Sequence, residues 1–146
     1  MLLSKVIAGL DLPARPIPVP HTWFGAQTPR ALAHDAIVHD TLDDGDMRLT
    51  NGAFADDYEI ALDAAQTIVL ATKGGPSKTE TCCAVDVLTQ IFLGDTLVAS
   101  DDDGGGSFDS RLAFTANVKG TYRVRVTTSG AGYKTGAYTL SVSRPS

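Results

Sequence analysis

The segment Gly120-Thr-Tyr-Arg-Val-Arg-Val-Thr-Thr128 decides the fold class of this chain. Its apolar residues Tyr122, Val124 and Val126 alternate with polar ones. Because successive side chains of a β-strand point to opposite faces, this alternation puts the apolar side chains on one face and the polar ones on the other. The segment is therefore predicted to be a strand with one face toward a core and one toward water, as in antiparallel sheets.

The same alternation recurs on both sides of this segment. Tyr58–Leu62 and Tyr138–Val142 alternate in the same way, and Val85–Leu93 and Thr96–Ala99 flank the hairpin-turn dipeptide Gly94-Asp95. Short strands separated by glycine-containing turns are typical of two packed sheets. We predict an all-β fold, an antiparallel two-sheet sandwich.

Composition limits the possible functions. The chain has 146 residues, of which 43% are hydrophobic, and this predicts one globular domain. A net charge of −5 argues against a nucleic-acid partner and against a polybasic membrane-surface protein. No apolar run reaches the roughly 20 residues of a membrane span.

Residues 1–40 differ in character from the rest of the chain. Prolines at 13, 16, 18 and 20 favour an extended, polyproline-like path and exclude a helix. Trp23 and Phe24 follow, and Trp23 is too large an apolar group to be left in water. We predict an extended arm over residues 1–40, which packs on its own domain or on a neighbouring copy, and a sandwich domain over residues 41–146.

The remaining reactive residues form no recognisable catalytic or zinc motif. Cys82 and Cys83 are adjacent. Either they are thiols in or near a strand, or they form disulfide bonds to another subunit. With His34 and His39 they lack the spacing of a zinc site. The sequence has no nucleophile elbow, no metalloprotease motif and no phosphate-binding loop, so we predict a protein that is not an enzyme.

The acidic stretch Ser100-Asp-Asp-Asp-Gly-Gly-Gly106 is the strongest candidate for a binding site. Adjacent carboxylates repel each other, and a cation would offset that repulsion. Calcium prefers six to eight oxygen ligands, which Asp101, Asp102, Asp103 and Asp109 could supply in part. The alternative is a solvated hairpin loop whose charges prevent association at the sheet edge.

Four motifs in the C-terminal half, in this order and spacing, together resemble the bacterial pre-peptidase C-terminal domain: Leu97-Val-Ala-Ser-Asp-Asp-Asp-Gly-Gly-Gly106, Asp109-Ser-Arg-Leu-Ala-Phe114, Gly120-Thr-Tyr-Arg-Val-Arg-Val126 and Gly136-Ala-Tyr-Thr-Leu-Ser-Val142. Upstream, Asp56–Ile60 and Ala65–Ile68 fit the opening strands of that family, so the resemblance covers roughly residues 41–143. It implies a jelly-roll-like β-sandwich without catalytic activity, usually appended to secreted bacterial proteases. Some members, including the collagen-binding domains of clostridial collagenases, bind calcium.

A second acidic group gains meaning from this resemblance. Asp46 follows a run of aspartates, and Asp56 and Asp57 lie ten residues further on. The resemblance places Asp46 and Asp56 near the opening of the first strands, where some members hold calcium. The predicted calcium ligands are therefore Asp46, Asp56 and Asp57 in addition to the loop aspartates. The alternative is that these residues cap turns.

Two functions follow from these features. The first is a calcium-binding extracellular structural subunit that assembles with copies of itself, as a filament or matrix, through residues 1–40. The alternative is a monomeric, calcium-stabilised binding module for protein or polysaccharide, accessory to secreted enzymes. Either acts outside the cell or on its surface. Met1–Pro20 has no clear signal peptide, so the sequence leaves the export route open.

Overall fold

The computed structural model describes residues 28–77, 85–102, 104–106, 109–129 and 134–145. Within these ranges the chain forms strands and no helix, so no helix there is long and apolar enough to cross a membrane. The strands are, in chain order, β1 (Arg30–Ala31), β2 (Ile37–Leu42), β3 (Met47–Arg48), β4 (Phe54–Leu62), β5 (Thr67–Ser77), β6 (Val87–Leu93), β7 (Thr96–Asp101), β8 (Ser110–Thr115), β9 (Gly120–Thr128) and β10 (Gly136–Ser143).

The strands form two sheets. The six-stranded sheet has the order β1-β4-β9-β6-β7, with the short β3 also paired to β4. The four-stranded sheet has the order β2-β10-β5-β8. All pairs are antiparallel except β1 with β4, which is parallel. The predicted all-β, two-sheet sandwich is confirmed.

The core lies between the two sheets, and β9 contributes to its centre. β9 pairs with β4 on one side and with β6 on the other, and its residues Tyr122, Val124 and Val126 are at most 1% exposed. The alternation of the sequence thus becomes burial on one face. The partners that complete this core come from both sheets and include Tyr58, Ile60, Leu62, Ile68, Leu70, Val87, Ile91, Leu140 and Val142.

Tyr122 also fixes the turn that precedes β9. Its hydroxyl donates a hydrogen bond to the carbonyl of Val118 at 2.6 Å, and its ring meets Phe114 edge-on with centroids 5.4 Å apart. A buried tyrosine needs a partner for its hydroxyl, and here the preceding loop supplies it. One side chain therefore joins β8, the turn and β9.

The sheets begin earlier in the chain than Thr41. Leu32 is buried, and its N–H donates to the carbonyl of Glu59 at 2.8 Å. β2 pairs with β10 along its length, so the predicted boundary after residue 40 falls inside β2. Residues 1–27, with Trp23 and Phe24, lie outside the described residues, as do Cys82 and Cys83.

Candidate functional site

Asp101, at the end of β7, organises the acidic loop. One of its carboxylate oxygens, Oδ2, accepts the N–H groups of Gly104 and of Arg111, both at 2.8 Å. A Cβ at Gly104 would lie 2.7 Å from both carboxylate oxygens of Asp101, so this tight return needs a glycine. The carboxylate and one glycine thus fold the loop back onto β8 through backbone hydrogen bonds.

The other described aspartates of the loop hold different parts of the chain. Asp109 accepts the N–H of Gly74 in β5 at 3.1 Å through Oδ1. Asp102 accepts the hydroxyl of Ser129 at 2.9 Å through Oδ2, and within the described structure its buried Oδ1 has no hydrogen-bond partner. Asp103 lies outside the described residues. The loop carboxylates that the structure describes are therefore each directed to a separate segment.

A chain of hydrogen bonds runs from the surface to Asp56 in β4. Arg30 donates through Nη2 to the hydroxyl of Tyr58 at 2.9 Å, the hydroxyls of Tyr58 and Tyr138 are 2.5 Å apart, and Tyr138 donates to Asp56 Oδ2 at 2.6 Å. Because the hydroxyl proton of Tyr138 is donated to Asp56, the hydroxyl of Tyr58 is the donor in the hydrogen bond between the two tyrosines. These bonds link the guanidinium group of Arg30 in β1 to the buried carboxyl group of Asp56 in β4. They pass through β10 at Tyr138.

Asp46 and Asp56 are the predicted ligands that the fold brings together. The two carboxyl groups are close enough to influence each other electrostatically. Burial raises the pKa of Asp56 to about 7, against the lowering effect of the Tyr138 hydrogen bond, and burial also raises the pKa of Asp46. Asp40, which pairs with Arg30 at 2.7 Å, adds a third carboxylate nearby.

Asp57 faces away from this group, although it is the next residue in the strand. Arg125 binds it with two hydrogen bonds, Nε to Oδ1 at 2.8 Å and Nη2 to Oδ2 at 3.0 Å. Arg123 lies 3.6 Å from the same carboxylate, and both guanidinium groups stack on the ring of Phe92. This cluster was not predicted from the sequence, although the outward-facing arginines of β9 were the signal for it.

The described residues therefore do not bring all the predicted ligands to one place. No three of their histidine, cysteine, aspartate or glutamate side chains are grouped so that they could hold a metal ion. Asp46 and Asp56 lie near each other, Asp57 is bound by arginine, and Asp101, Asp102 and Asp109 accept hydrogen bonds from backbone or hydroxyl groups. Calcium binding stays a prediction.

A groove of about 520 Å³ lies on the four-stranded sheet, lined by residues of β2, β5 and β10. Small residues make it possible, since a Cβ on Gly75 would come within 3.3 Å of Ala137 Cβ. Its lining includes His39, Thr139 and Lys73. A hydrogen bond of 3.1 Å joins Nδ1 of His39 to Oγ1 of Thr139. Nothing in the sequence pattern pointed to this groove, because its residues come from three separated strands.

Comparison with known families settles the relationship of the chain. Residues 54–128, about half of the sequence and the part that holds β4 to β9, match the family of the bacterial pre-peptidase C-terminal domain. The chain belongs to this family. Pre-peptidase C-terminal domains are β-sandwiches associated with secreted proteases, in which they are accessory and non-catalytic.

A solved structure of this family supports the fold. The chain is similar to the pre-peptidase C-terminal domain of collagenase from Bacillus anthracis, with a TM-score of 0.58 and 16% identity over 80% of this chain and 96% of that one. It is less similar to a periplasmic inhibitor of g-type lysozyme from Aeromonas hydrophila, with a TM-score of 0.42 and 16% identity over 81% and 96% of the two chains. Comparison with curated proteins finds no match.

Proposed function

We propose that this pre-peptidase C-terminal domain is a non-catalytic structural subunit, outside the cell or on its surface, that associates with copies of itself through its N-terminal segment. The observation that supports this is the position of β1. β1 is the edge strand of the six-stranded sheet, paired only with β4 among the described strands. The first described strand after residues 1–27 therefore lies at a sheet edge.

A segment that joins at an edge reaches a neighbouring copy without crossing its own sheet. Residues 1–27 span up to about 90 Å when extended, whereas the path from β1 to β7 is about 20 Å wide at ordinary strand spacing. The segment is thus long enough to lie on another molecule. A head-to-tail contact of this kind does not close on itself and produces filaments.

The test compares the full chain with a variant that lacks residues 1–27. All described strands begin at Arg30 or later, so the deletion removes none of them. We expect light scattering to show a mass that grows with concentration for the full chain and a monomer for the deletion variant, with circular dichroism melts confirming that both are folded. A full chain that stays monomeric, or a deletion variant that still assembles, would contradict the proposal.

The groove on the four-stranded sheet favours a second candidate function, a monomeric accessory module that binds protein or polysaccharide. Ala137 is exposed at the groove floor, so Ala137→Trp would fill the groove from a surface position. If the module binds there, this variant loses retention on the polysaccharide or protein matrix that retains the wild-type chain. A matching substitution outside the groove, Ala113→Trp, is the control, and retention by a monomer without residues 1–27 would favour this function.

We also propose calcium as a structural ion, with Asp46 and Asp56 as the pair that supports it. Two neighbouring carboxyl groups repel when both are ionised, and a cation with oxygen ligands would offset that repulsion. Binding to the folded state alone raises the melting temperature in proportion to the logarithm of free calcium.

The measurement is a thermal melt with calcium, with magnesium and with a chelator, on the wild type, Asp46→Asn and Asp101→Asn. A melting temperature that calcium does not change would contradict the proposal that calcium is a structural ion of this protein.

A further inference from the structure

We propose that the edge of β7 is the surface that receives the N-terminal segment of a second copy, which adds to it as a further strand. This inference rests on the proposed self-association and names the acceptor surface for it. Strand addition at an open edge gains main-chain hydrogen bonds, so it needs an edge that is free, long enough and not protected by charge.

β7 meets these conditions. Among the described strands it pairs only with β6, so one side of its backbone has no strand partner there. Its residues Thr96–Ser100 carry no charge. Leu97 and Val98 are 47% and 40% exposed, and they lie where the register with β6 shifts, since Ile91 pairs with Ala99 and Phe92 pairs with Leu97. A strand edge with exposed apolar residues, and with no charge before its last residue, Asp101, is a site at which other chains can pair.

The other edges of the sandwich carry the protections that natural sheets use. β1 is two residues long and ends the sheet with Arg30. β2 contains His39 and Asp40, and Asp40 is bound to Arg30 at 2.7 Å. β8 carries the exposed Arg111. Short strands and charged side chains prevent pairing at an edge, whereas the one charged residue of β7, Asp101, stands at its end and binds the N–H groups of Gly104 and Arg111.

The proposed occupant is the segment before β1 in another copy. β1 and β7 are the two ends of one sheet, so copies placed head to tail bring the β1 edge of one molecule to the β7 edge of the next. Within residues 1–27, the stretch Met1–Leu12 contains no proline, whereas Pro13–Pro20 contains four. Proline has no N–H to donate to a strand ladder, so Met1–Leu12 is the part that pairs.

The test places a charge on this edge in the full chain. Val98→Lys adds a lysine to β7, the residue type with which sheet edges commonly prevent pairing. Ile37→Lys is the matched control, because Ile37 is also an exposed aliphatic residue on an edge strand, at 66% exposure, but belongs to β2 of the other sheet. We expect Val98→Lys to need at least tenfold more protein than the wild type for the same assembled mass, and Ile37→Lys to behave as the wild type. Melting curves confirm that both variants are folded.

Hydrogen–deuterium exchange on the wild-type full chain supplies a second measurement. We expect amides of residues 96–101 to exchange more slowly at high protein concentration than after dilution, while amides of β2 and β8 do not change. If Val98→Lys assembles as the wild type does, and β7 gains no protection, the acceptor surface is wrong while self-association stands. If the wild type does not assemble at all, the proposed function fails, and this inference fails with it.

Discussion

Asp57 and Arg125 form an ion pair in which only 5% and 16% of the side chains are exposed. Replacing Asp57 with asparagine leaves the guanidinium groups of Arg125 and Arg123 without their carboxylate in a poorly hydrated place. Breaking a buried ion pair from one side costs about 3–5 kcal/mol. We expect Asp57→Asn to lower the free energy of unfolding by about 3 kcal/mol in urea titrations.

Asp95 provides the control for this substitution, since it is exposed in the turn between β6 and β7. Asp95→Asn should change the free energy of unfolding by less than about 0.5 kcal/mol, as surface substitutions usually do. Equal effects of the two variants would show that the ion pair with Arg125 contributes little.

Asp56 gives the stability of the protein a pH dependence of defined sign. Burial raises its pKa to about 7 in the folded protein, above the ordinary value of 3.8. The folded state then binds more protons than the unfolded state between these two values, so this carboxyl group makes stability fall as pH rises from about 4 to about 7. The loss is on the order of 4 kcal/mol, at about 1.36 kcal/mol for each of the roughly three pKa units.

Asp56→Asn isolates this effect, because asparagine remains neutral and can still accept the hydrogen bond from Tyr138. Urea unfolding between pH 4.5 and 8 should show a smaller loss of stability in the variant than in the wild type, and above pH 7 the variant should be the more stable protein. Parallel pH profiles of the two proteins would show that Asp56 titrates as an ordinary aspartate.

At the scale of strands, Gly74 marks a close approach between β5 and the residues that precede β6. A Cβ at Gly74 would lie 2.0 Å from the carbonyl oxygen of Val85, so the backbone has to move to admit any side chain. Forced overpacking of this kind typically costs about 1–3 kcal/mol. We expect Gly74→Ala to lower the free energy of unfolding, measured by urea titration, by about 1–3 kcal/mol.

Gly120→Ala is the matched control, because a Cβ there meets only Leu93 Cδ1 at 3.6 Å, an ordinary contact. Gly120 begins β9, and alanine should leave its stability nearly unchanged. If Gly74→Ala is as stable as Gly120→Ala, the approach of Val85 to β5 is looser than the structure has it.

The strands themselves were predictable from the sequence, because burial on one face of a strand follows from period-two alternation. Gly120–Thr128 shows this best, with its apolar residues in the core and its arginines on the opposite face. The hairpin at Gly94-Asp95 was predictable as well, since Gly94 adopts a φ of +61°, which glycine accepts readily.

The arrangement of the carboxylates was not predictable, because their partners are distant in sequence. Asp56 is bonded to Tyr138, 82 residues away, and Asp57 is bonded to Arg125 through the register of β4 with β9. The carboxylate of Asp101 accepts a hydrogen bond from the N–H of Arg111, and no sequence motif predicts this bond. Crowded aspartates therefore suggested calcium binding by the loop and by a second acidic group, while the fold directs most of them to N–H donors, hydroxyls and arginines.

At the scale of the whole molecule, the two ends of the six-stranded sheet differ. One end is the charged, two-residue β1 with the N-terminal segment attached, and the other is β7, whose only charged residue is the terminal Asp101. A contact between unlike surfaces repeats from copy to copy, whereas a contact between like surfaces stops at a dimer. The proposed assembly is therefore open-ended.

Sedimentation velocity of the full chain over a concentration series distinguishes open-ended assembly from a monomer or a closed dimer. We expect a series of species, monomer, dimer, trimer and larger, whose weight shifts upward with concentration and which collapses to monomer when residues 1–27 are removed. A single monomeric species at every concentration, or a dimer that does not grow further, would rule out open-ended assembly.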